Sequence, residues 1–194
     1  MPTPERTTTA TIVAAGREIL EARGSAGLTM QAVATRVGVR APSLYKRIRD
    51  REALLSAVAE AVVDDLAARL TSVAATTTVT STDTTPMTNG HDTLEILADE
   101  FRAFAHDHPE GFRLIFTASA PLDALDRAAQ PVLTASAALV GEADALKAAR
   151  LFTSWTTGFL QMELAGAFRL GGDVDDAFSY GLRVIIAGLR NRSP

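Results

Sequence analysis

Apolar residues recur at helical spacing from end to end of this 194-residue chain, and no run alternates apolar and polar residues as a half-buried strand would. That periodicity predicts an all-α fold. Thr8 to Arg23 place Ile12, Ala15, Ile19 and Leu20 on one face, with Gly24 as the stop. Thr29 can cap a helix over Met30–Val37, Gly38 ends it, and a very short helix follows over Ala41–Arg47. Asp50 can cap the next, which Leu54, Leu55, Val58, Val62 and Leu66 carry to about Leu70. Further helices are expected over Asp92–His106, Pro109–Thr117, Leu122–Val140, Glu142–Phe168 and Asp173–Arg190, about nine in all. Residues 76–88 hold eight threonines, with Pro86 among them and Asn89-Gly90 behind. Such a polar, β-branched stretch reads as a flexible loop over 76–90.

Composition fits that class. Alanine occurs 35 times, which favours closely packed helices over an aromatic-rich sandwich. The absence of cysteine excludes disulfides, thiolate metal sites and cysteine nucleophiles, and it fits a cytoplasmic, reducing setting. The first thirty residues lack an apolar h-region, and no window approaches a membrane-spanning length, so neither export nor a membrane partner is expected.

The net charge of −4, taken whole, opposes nucleic acid as a partner. It is unevenly spread. Residues 1–50 carry +4 and the remaining 144 carry −8, so a basic quarter is joined to an acidic remainder. That asymmetry points to two tasks, a domain over 1–50 and another over 51–194.

The informative segment of the basic quarter is Thr29 to Arg51. It reads helix, glycine turn, short helix, with Ala34 small enough for a close helix crossing and Gly38 where the turn needs positive φ. Val33, Val37, Val39, Leu44 and Ile48 are spaced to pack under the first helix, which leaves Ser43, Tyr45, Lys46 and Arg47 outside. This is the layout of a helix-turn-helix, whose second helix enters the major groove. Arg40, Lys46, Arg47, Arg49 and Arg51 can neutralise phosphates, and Ser43 and Tyr45 can donate hydrogen bonds. Ala41 and Pro42 offer only apolar contacts, as to a thymine methyl. Thr29 completes the set of candidate DNA-facing residues.

Residues from about Ile12 to Val58 resemble the DNA-binding domain of the TetR family of bacterial transcriptional regulators. The matching points are Ala14-Ala15, Gly27-Leu28-Thr29, Val33-Ala34, Val37-Gly38-Val39, Ser43-Leu44-Tyr45 and Glu52-Ala53-Leu54-Leu55. The resemblance implies DNA contacts from the Ser43 and Tyr45 positions and from the basic residue at Arg51. The chain departs from the common pattern at Arg40, usually a small hydroxyl cap, and at Ile48, usually aromatic; its Arg47 position is often histidine.

The acidic remainder is less explicit. Leu151, Trp155, Phe159 and Met162 line one late helix, and Val174, Phe178, Gly181, Leu182, Ile185 and Leu189 line the other. Two such helices from each of two chains would make a four-helix bundle, with Phe178, Leu182, Ile185 and Leu189 as interface candidates. The resemblance implies the same homodimer, which matches a palindromic operator on double-stranded DNA. Residues 92–190 are also similar to the regulatory domain of one TetR subgroup, through Trp155 to Glu163 and Asp173 to Phe178, although Thr157 stands where that subgroup often has histidine. A small-molecule effector is implied, with Leu97, Phe101, Phe104, Phe112, Phe116, Trp155, Phe159, Met162 and Glu163 as candidate lining. For each, packed core is the plainer reading, because apolar stripes mostly pack. Glu163 is either exposed by helix rotation or reserved for a polar ligand group or an arginine.

No other chemistry stands out. His106 and His108 cannot clasp one metal unless the helix ends between them, and Asp173, Asp175 and Asp176 fit a helix cap better than a calcium loop. There is no P-loop, GxSxG or credible triad, so no enzyme activity, cofactor or metal is expected. The reading is a homodimeric repressor released from its operator by a small ligand that tilts the Asp50–Leu70 helix. The alternative is a dimeric DNA-binding protein without a ligand, acting as an architectural or partner-recruiting factor.

Overall fold

The computed structural model describes residues 7–79, 90–117 and 120–191, and among them there are nine helices and no strand. They are α1 (Thr9–Gly27), α2 (Met30–Arg36), α3 (Ala41–Leu44), α4 (Arg51–Val79), α5 (Gly90–Asp107), α6 (Pro109–Ile115), α7 (Leu122–Val140), α8 (Glu142–Leu164) and α9 (Val174–Arg190). The expected all-α architecture is what the chain adopts.

Helix starts follow from local chemistry. The first amides of a helix have no partner inside it, and short polar side chains just upstream supply one. Thr8 Oγ1 accepts from Thr11 N at 3.1 Å, and Thr29 Oγ1 accepts from Ala32 N at 3.1 Å. Asp50 Oδ1 accepts from Ala53 N at 2.8 Å, and Asp173 Oδ1 accepts from Asp175 N at 2.8 Å.

Helix ends depart from expectation in four places. α1 does not stop at Gly24: that residue is a kink at φ 65° and a further turn runs to Gly27. α3 is a single turn ending at Leu44, and the chain through Arg47 continues as turns. α4 runs on to Val79, so residues 76–79 of the expected loop are helical; Thr76 tolerates this by donating its hydroxyl to Ser72 O at 3.0 Å. The rest of that loop, 80–89, lies outside the described residues, and Gly90 already opens α5, packed so tightly that a Cβ there would lie 2.4 Å from Ala135 O. α8 ends at Leu164 instead of Phe168 because Gly166, at φ 61°, turns the chain left-handed and lets Ala167 N reach Met162 O at 2.9 Å.

The chain divides into two compact units, residues 1–65 with 108–125 and residues 66–107 with 126–194. Packing therefore does not follow the sequence boundary at Asp50. The first unit is built on Ile12, Leu20, Leu28, Val33, Leu44, Leu54, Val58 and Phe112, all fully buried. It takes in α6 because the Glu21 carboxylate on α1 accepts from Gly111 N at 2.8 Å and Glu110 N at 3.2 Å. Glu21 thus caps α6, a task that the side chain of His108 at the cap position leaves undone. A side chain at position 111 would displace it, since a Cβ there would sit 2.9 Å from Glu21 Oε1.

The second unit packs α5, α8 and α9 together around Leu94, Leu97, Phe104, Phe152, Leu160, Phe178 and Ile186. Burying each such side chain contributes about 1.5–3 kcal/mol. On α8 the buried stripe is Ala145, Ala148, Ala149, Phe152, Thr156 and Leu160, rotated from the expected Leu151, Trp155, Phe159 and Met162 face. Leu151 and Met162 are about half exposed as a result. No helix among the described residues is long and apolar enough to cross a membrane.

Candidate functional site

α2, the turn at Gly38 and α3 form the expected pair of helices. Gly38 sits at φ 72°, Val39 N donates to Ala34 O at 3.0 Å, and Ala34 is fully buried at the crossing. Val33, Leu44 and Ile48 are buried beneath, while Val37 and Val39 are only half-buried. Because Leu44 and Ile48 point inward, the residues between and around them point out. Pro42, Ser43, Lys46 and Arg47 are exposed, Tyr45 is 54% exposed and Ala41 is half-buried. Pro42 lies in the first turn of α3, where its missing N–H costs nothing. Arg40 occupies the N-cap position and makes no capping bond with its side chain.

The cations of this region differ in how far they are committed. Arg36 is paired with Glu18, Arg17 with Asp65 at 2.6 Å, and Arg49 with Asp50 at 2.7 Å. Asp50 is held below the usual carboxylate range, first by the Ala53 N–H and then by Arg49. The bond to Asp50 in turn raises the Arg49 pKa. Arg40, Lys46 and Arg47 form no ion pair with the described residues. Two other candidates serve the fold: Thr29 caps α2, and Arg51 donates to Leu28 O at 2.9 Å and Ser25 O at 2.5 Å.

The second unit concentrates charge and aromatic rings in one place. Arg102 on α5 pairs with Glu163 on α8 and with Asp175 at the start of α9, 2.5 Å away. Glu163 is only 11% exposed, so of its two expected states it takes the arginine-paired one. His106 Nε2 lies 3.3 Å from the same carboxylate. Beside them Trp155 stacks on Phe178 at 5.5 Å, Phe159 meets Phe178 edge-on at 5.2 Å, and Arg102 Cζ sits 4.8 Å from the Phe178 ring. The Glu163 bond dominates the rise of the Arg102 pKa, so that group stays charged.

Two regions of the sequence match family models: residues 12–58 match bacterial regulatory proteins of the tetR family, and residues 94–185 match a tetracyclin repressor-like C-terminal domain. An uncharacterized HTH-type transcriptional regulator of Mycobacterium tuberculosis is 30% identical over 98% of this chain and 85% of its own length.

The chain belongs to the TetR family.

Other members of the family reinforce the assignment. The class A tetracycline repressor protein from transposon 1721 of Escherichia coli is 28% identical over 94% of this chain and 90% of its own. A TetR variant from Acinetobacter baumannii AYE, solved in complex with minocycline, superposes with a TM-score of 0.71 at 25% identity, covering 97% of this chain and 99% of that one. This TetR-family chain thus has the fold of transcriptional regulators.

The remaining candidates of this TetR-family regulator fall as follows. Leu97, Phe101 and Phe104 are buried on α5, Trp155 and Phe159 are half-buried and Met162 exposed on α8, all in the second unit. Phe112 is fully buried in the first unit, and Phe116, 5.3 Å from its ring, is exposed there. Of the expected interface set, Phe178, Leu182 and Leu189 are buried in the chain's own core, and Leu189 also borders a surface groove. Ile185 alone is half-exposed; it lines a surface groove of about 560 Å³ with Val140, Leu151, Val184 and Gly188. Spacing shows that a helix has an apolar stripe without saying which neighbour covers it, so it did not separate Phe178 and Leu182, buried within the chain, from the more exposed Ile185.

His106 and His108 do end up on either side of a helix end, but they face different carboxylates: His108 Nε2 is 4.0 Å from Asp65. His91, Asp92 and Glu95 bring ligand atoms within 4.8 Å of one another at the start of α5, where the positive end of the helix opposes a cation. Arg102 and Glu21 were missed by sequence reasoning, and no local pattern marks either, since their partners are far away in the chain.

Proposed function

We propose that this chain is a homodimeric repressor that binds a palindromic DNA duplex through α3 and is released from it by a small molecule taken up in the second unit. The observation that carries the reading is the outer surface of α3. Arg40, Ser43, Tyr45, Lys46 and Arg47 are all exposed along the segment 40–47 formed by α3 and the turns after it, and its three cations have no ion pair with the described residues. Lys46, Arg47 and Arg40 supply phosphate contacts; Ser43 and Tyr45 face base edges, with Ala41 and Pro42 against a thymine methyl. A two-fold dimer would set two such turns roughly 34 Å apart, one helical repeat of DNA.

The face offered to a second copy is the exposed side of α8 and α9, through Leu151, Val184, Ile185 and Gly188. For the effector, the minocycline bound by the Acinetobacter relative supports a small-molecule class. Trp155, in contact with Phe159, would report a ligand binding nearby, and Glu163 is already bonded to Arg102, so a ligand reaching this carboxylate would have to displace an arginine.

The test has two parts. Selection of binding sites from a random-sequence duplex library by the full chain is expected to return a palindrome, and Tyr45→Ala should abolish its recovery. Quenching of Trp155, the only tryptophan, by added minocycline or by library compounds should coincide with release of that duplex. Recovery of no sequence above background would overturn the DNA reading; quenching without release would overturn ligand control.

A further inference from the structure

Arg40 holds the cap position of α3 without serving as its cap. Its backbone is extended, at φ −81° and ψ 143°, as is usual at a helix start, and its carbonyl accepts from Ser43 N at 2.8 Å. Its side chain makes no capping bond. A guanidinium has only donors, whereas the first amides of a helix call for an acceptor, which is why serine, threonine, aspartate and asparagine are favoured there. Nothing among the described residues compensates: the side chain is exposed, and neither a hydrogen bond nor an ion pair holds it. Arg40 contributes little to the local fold, so its use lies outside the chain.

Charge alone would make Arg40 one more phosphate contact beside Lys46 and Arg47. Its place in the motif separates it from them. Where a helix-turn-helix enters the major groove, the first residues of the second helix are the ones that meet base edges. In α3 those residues are short: Ala41 and Pro42 have no side-chain donor, and Ser43 has a single hydroxyl. Arg40, immediately before them, is the one long donor at that end of the helix. Lys46 and Arg47 instead follow the buried Leu44, on the turns that lead from α3 towards α4. Arginine pairs its N–H groups with O6 and N7 of guanine, the commonest specific contact between a side chain and a base. We propose that Arg40 is a specificity-determining residue that reads one guanine in each half of a palindromic duplex. The inference rests on the DNA-binding reading above and adds to it the base selected by the start of α3. A guanidinium carries more N–H groups than a guanine takes up, so the same side chain keeps donors for a neighbouring phosphate.

The experiment selects duplexes from one random-sequence library with wild type, R40S, R40Q and R47A and reads the selected bases by sequencing. Affinity for the wild-type duplex is then measured over a salt series. Wild type should return a palindrome with guanine at a symmetric pair of positions. R40S should return the same palindrome with that pair relaxed, and R40Q should admit adenine there, the base that an amide side chain pairs with. Replacing the guanine in the duplex should weaken wild-type binding by about tenfold or more and weaken R40S binding far less. R47A should keep the guanine and flatten the salt dependence by about one phosphate. R40S supplies an acceptor at the cap of α3, so it should melt at or above the wild-type temperature, which separates lost reading from lost folding. Guanine retained at the same positions by R40S and R40Q, with only weaker binding and a flatter salt slope, would make Arg40 a phosphate contact and overturn the inference alone. A lowered melting temperature for R40S would give the residue a role in the fold and overturn it too. If wild type selects no sequence, the DNA reading itself fails and takes this inference with it.

Discussion

Arg102 on α5 and Glu163 on α8 are joined by two hydrogen bonds, Nε to Oε2 at 3.1 Å and a second from Nη2 to Oε1. Arg102 is 18% exposed and Glu163 is 11% exposed, so neither charge is well hydrated without the other. Asp175 and the Phe178 ring hold the guanidinium from the α9 side. Three helices of the second unit therefore meet at one cation. Glu163→Ala should cost about 2–4 kcal/mol, because it leaves a poorly solvated charge behind. The double variant R102M/E163L should cost clearly less than the two single changes together, since both desolvated charges leave at once. Urea unfolding measures all three; strict additivity would show that the pair is only a surface contact.

Gly181 on α9 lies beneath the Trp155 ring. A Cβ there would stand 2.4 Å from Trp155 Cζ2 and 3.1 Å from Cε2, so the ring must move out of its stack with Phe178. Gly181→Ala should destabilise by about 1–3 kcal/mol despite the better helix propensity of alanine. A shift in the Trp155 emission maximum should accompany it. Gly188→Ala, with nothing within 4 Å among the described residues, is the matched control and should leave the emission unchanged.

Asp50 gives stability a pH dependence of known sign. Its folded pKa is depressed, first by the Ala53 N–H and then by Arg49. A group with a lowered folded pKa stabilises above its unfolded value and loses that contribution as pH falls through the folded one. Asp50→Asn should therefore melt lower than wild type at neutral pH, by losing the Arg49 pair while keeping a cap. The gap should close once pH drops below the ordinary carboxylate range. Melting curves of the two proteins across that range check it; a constant gap would show that the carboxylate charge is irrelevant.

Val184 and Leu151 project from the outer side of α9 and α8, 52% and 50% exposed, beside the groove that also holds Ile185. A charge placed in a self-complementary apolar patch meets its own copy across the two-fold axis. For the dimer proposed above, Val184→Glu should shift sedimentation to that of a monomer while the helical content stays intact. Phe178→Ala should instead lower the melting temperature strongly, because that ring is buried at home.

Much of the fold was legible before any coordinates. Helical period was enough to expect about nine helices, the number found among the described residues, and polar caps at Thr29, Asp50 and Asp173 marked three of their starts, because both signals are carried by neighbours in sequence. The outward set Ser43, Tyr45, Lys46 and Arg47 was readable for the same reason: buried Leu44 and Ile48 fix the phase of a short segment. Helix ends were read less well. Gly24 kinks α1 without ending it, and threonines at the end of α4 remain helical, since a hydroxyl can bond back to its own helix as Thr76 does.

The uneven charge, +4 in residues 1–50 against −8 beyond, was likewise fixed by sequence, and with it the expectation of a DNA-facing head. Tertiary structure alone decided which of those charges are at liberty. Arg36 and Arg49 are paired, Arg51 is turned back onto Leu28 and Ser25, and Arg40, Lys46 and Arg47 stand clear of ion pairs with the described residues. It also placed α6 with α1 through Glu21 and buried Phe178, Leu182 and Leu189 within the chain's own core. The physical reason is the same throughout. Periodicity and capping are set within a turn or two of chain, whereas the partner of a charge or of an apolar stripe is whatever the fold brings alongside, here from as far as 90 residues away.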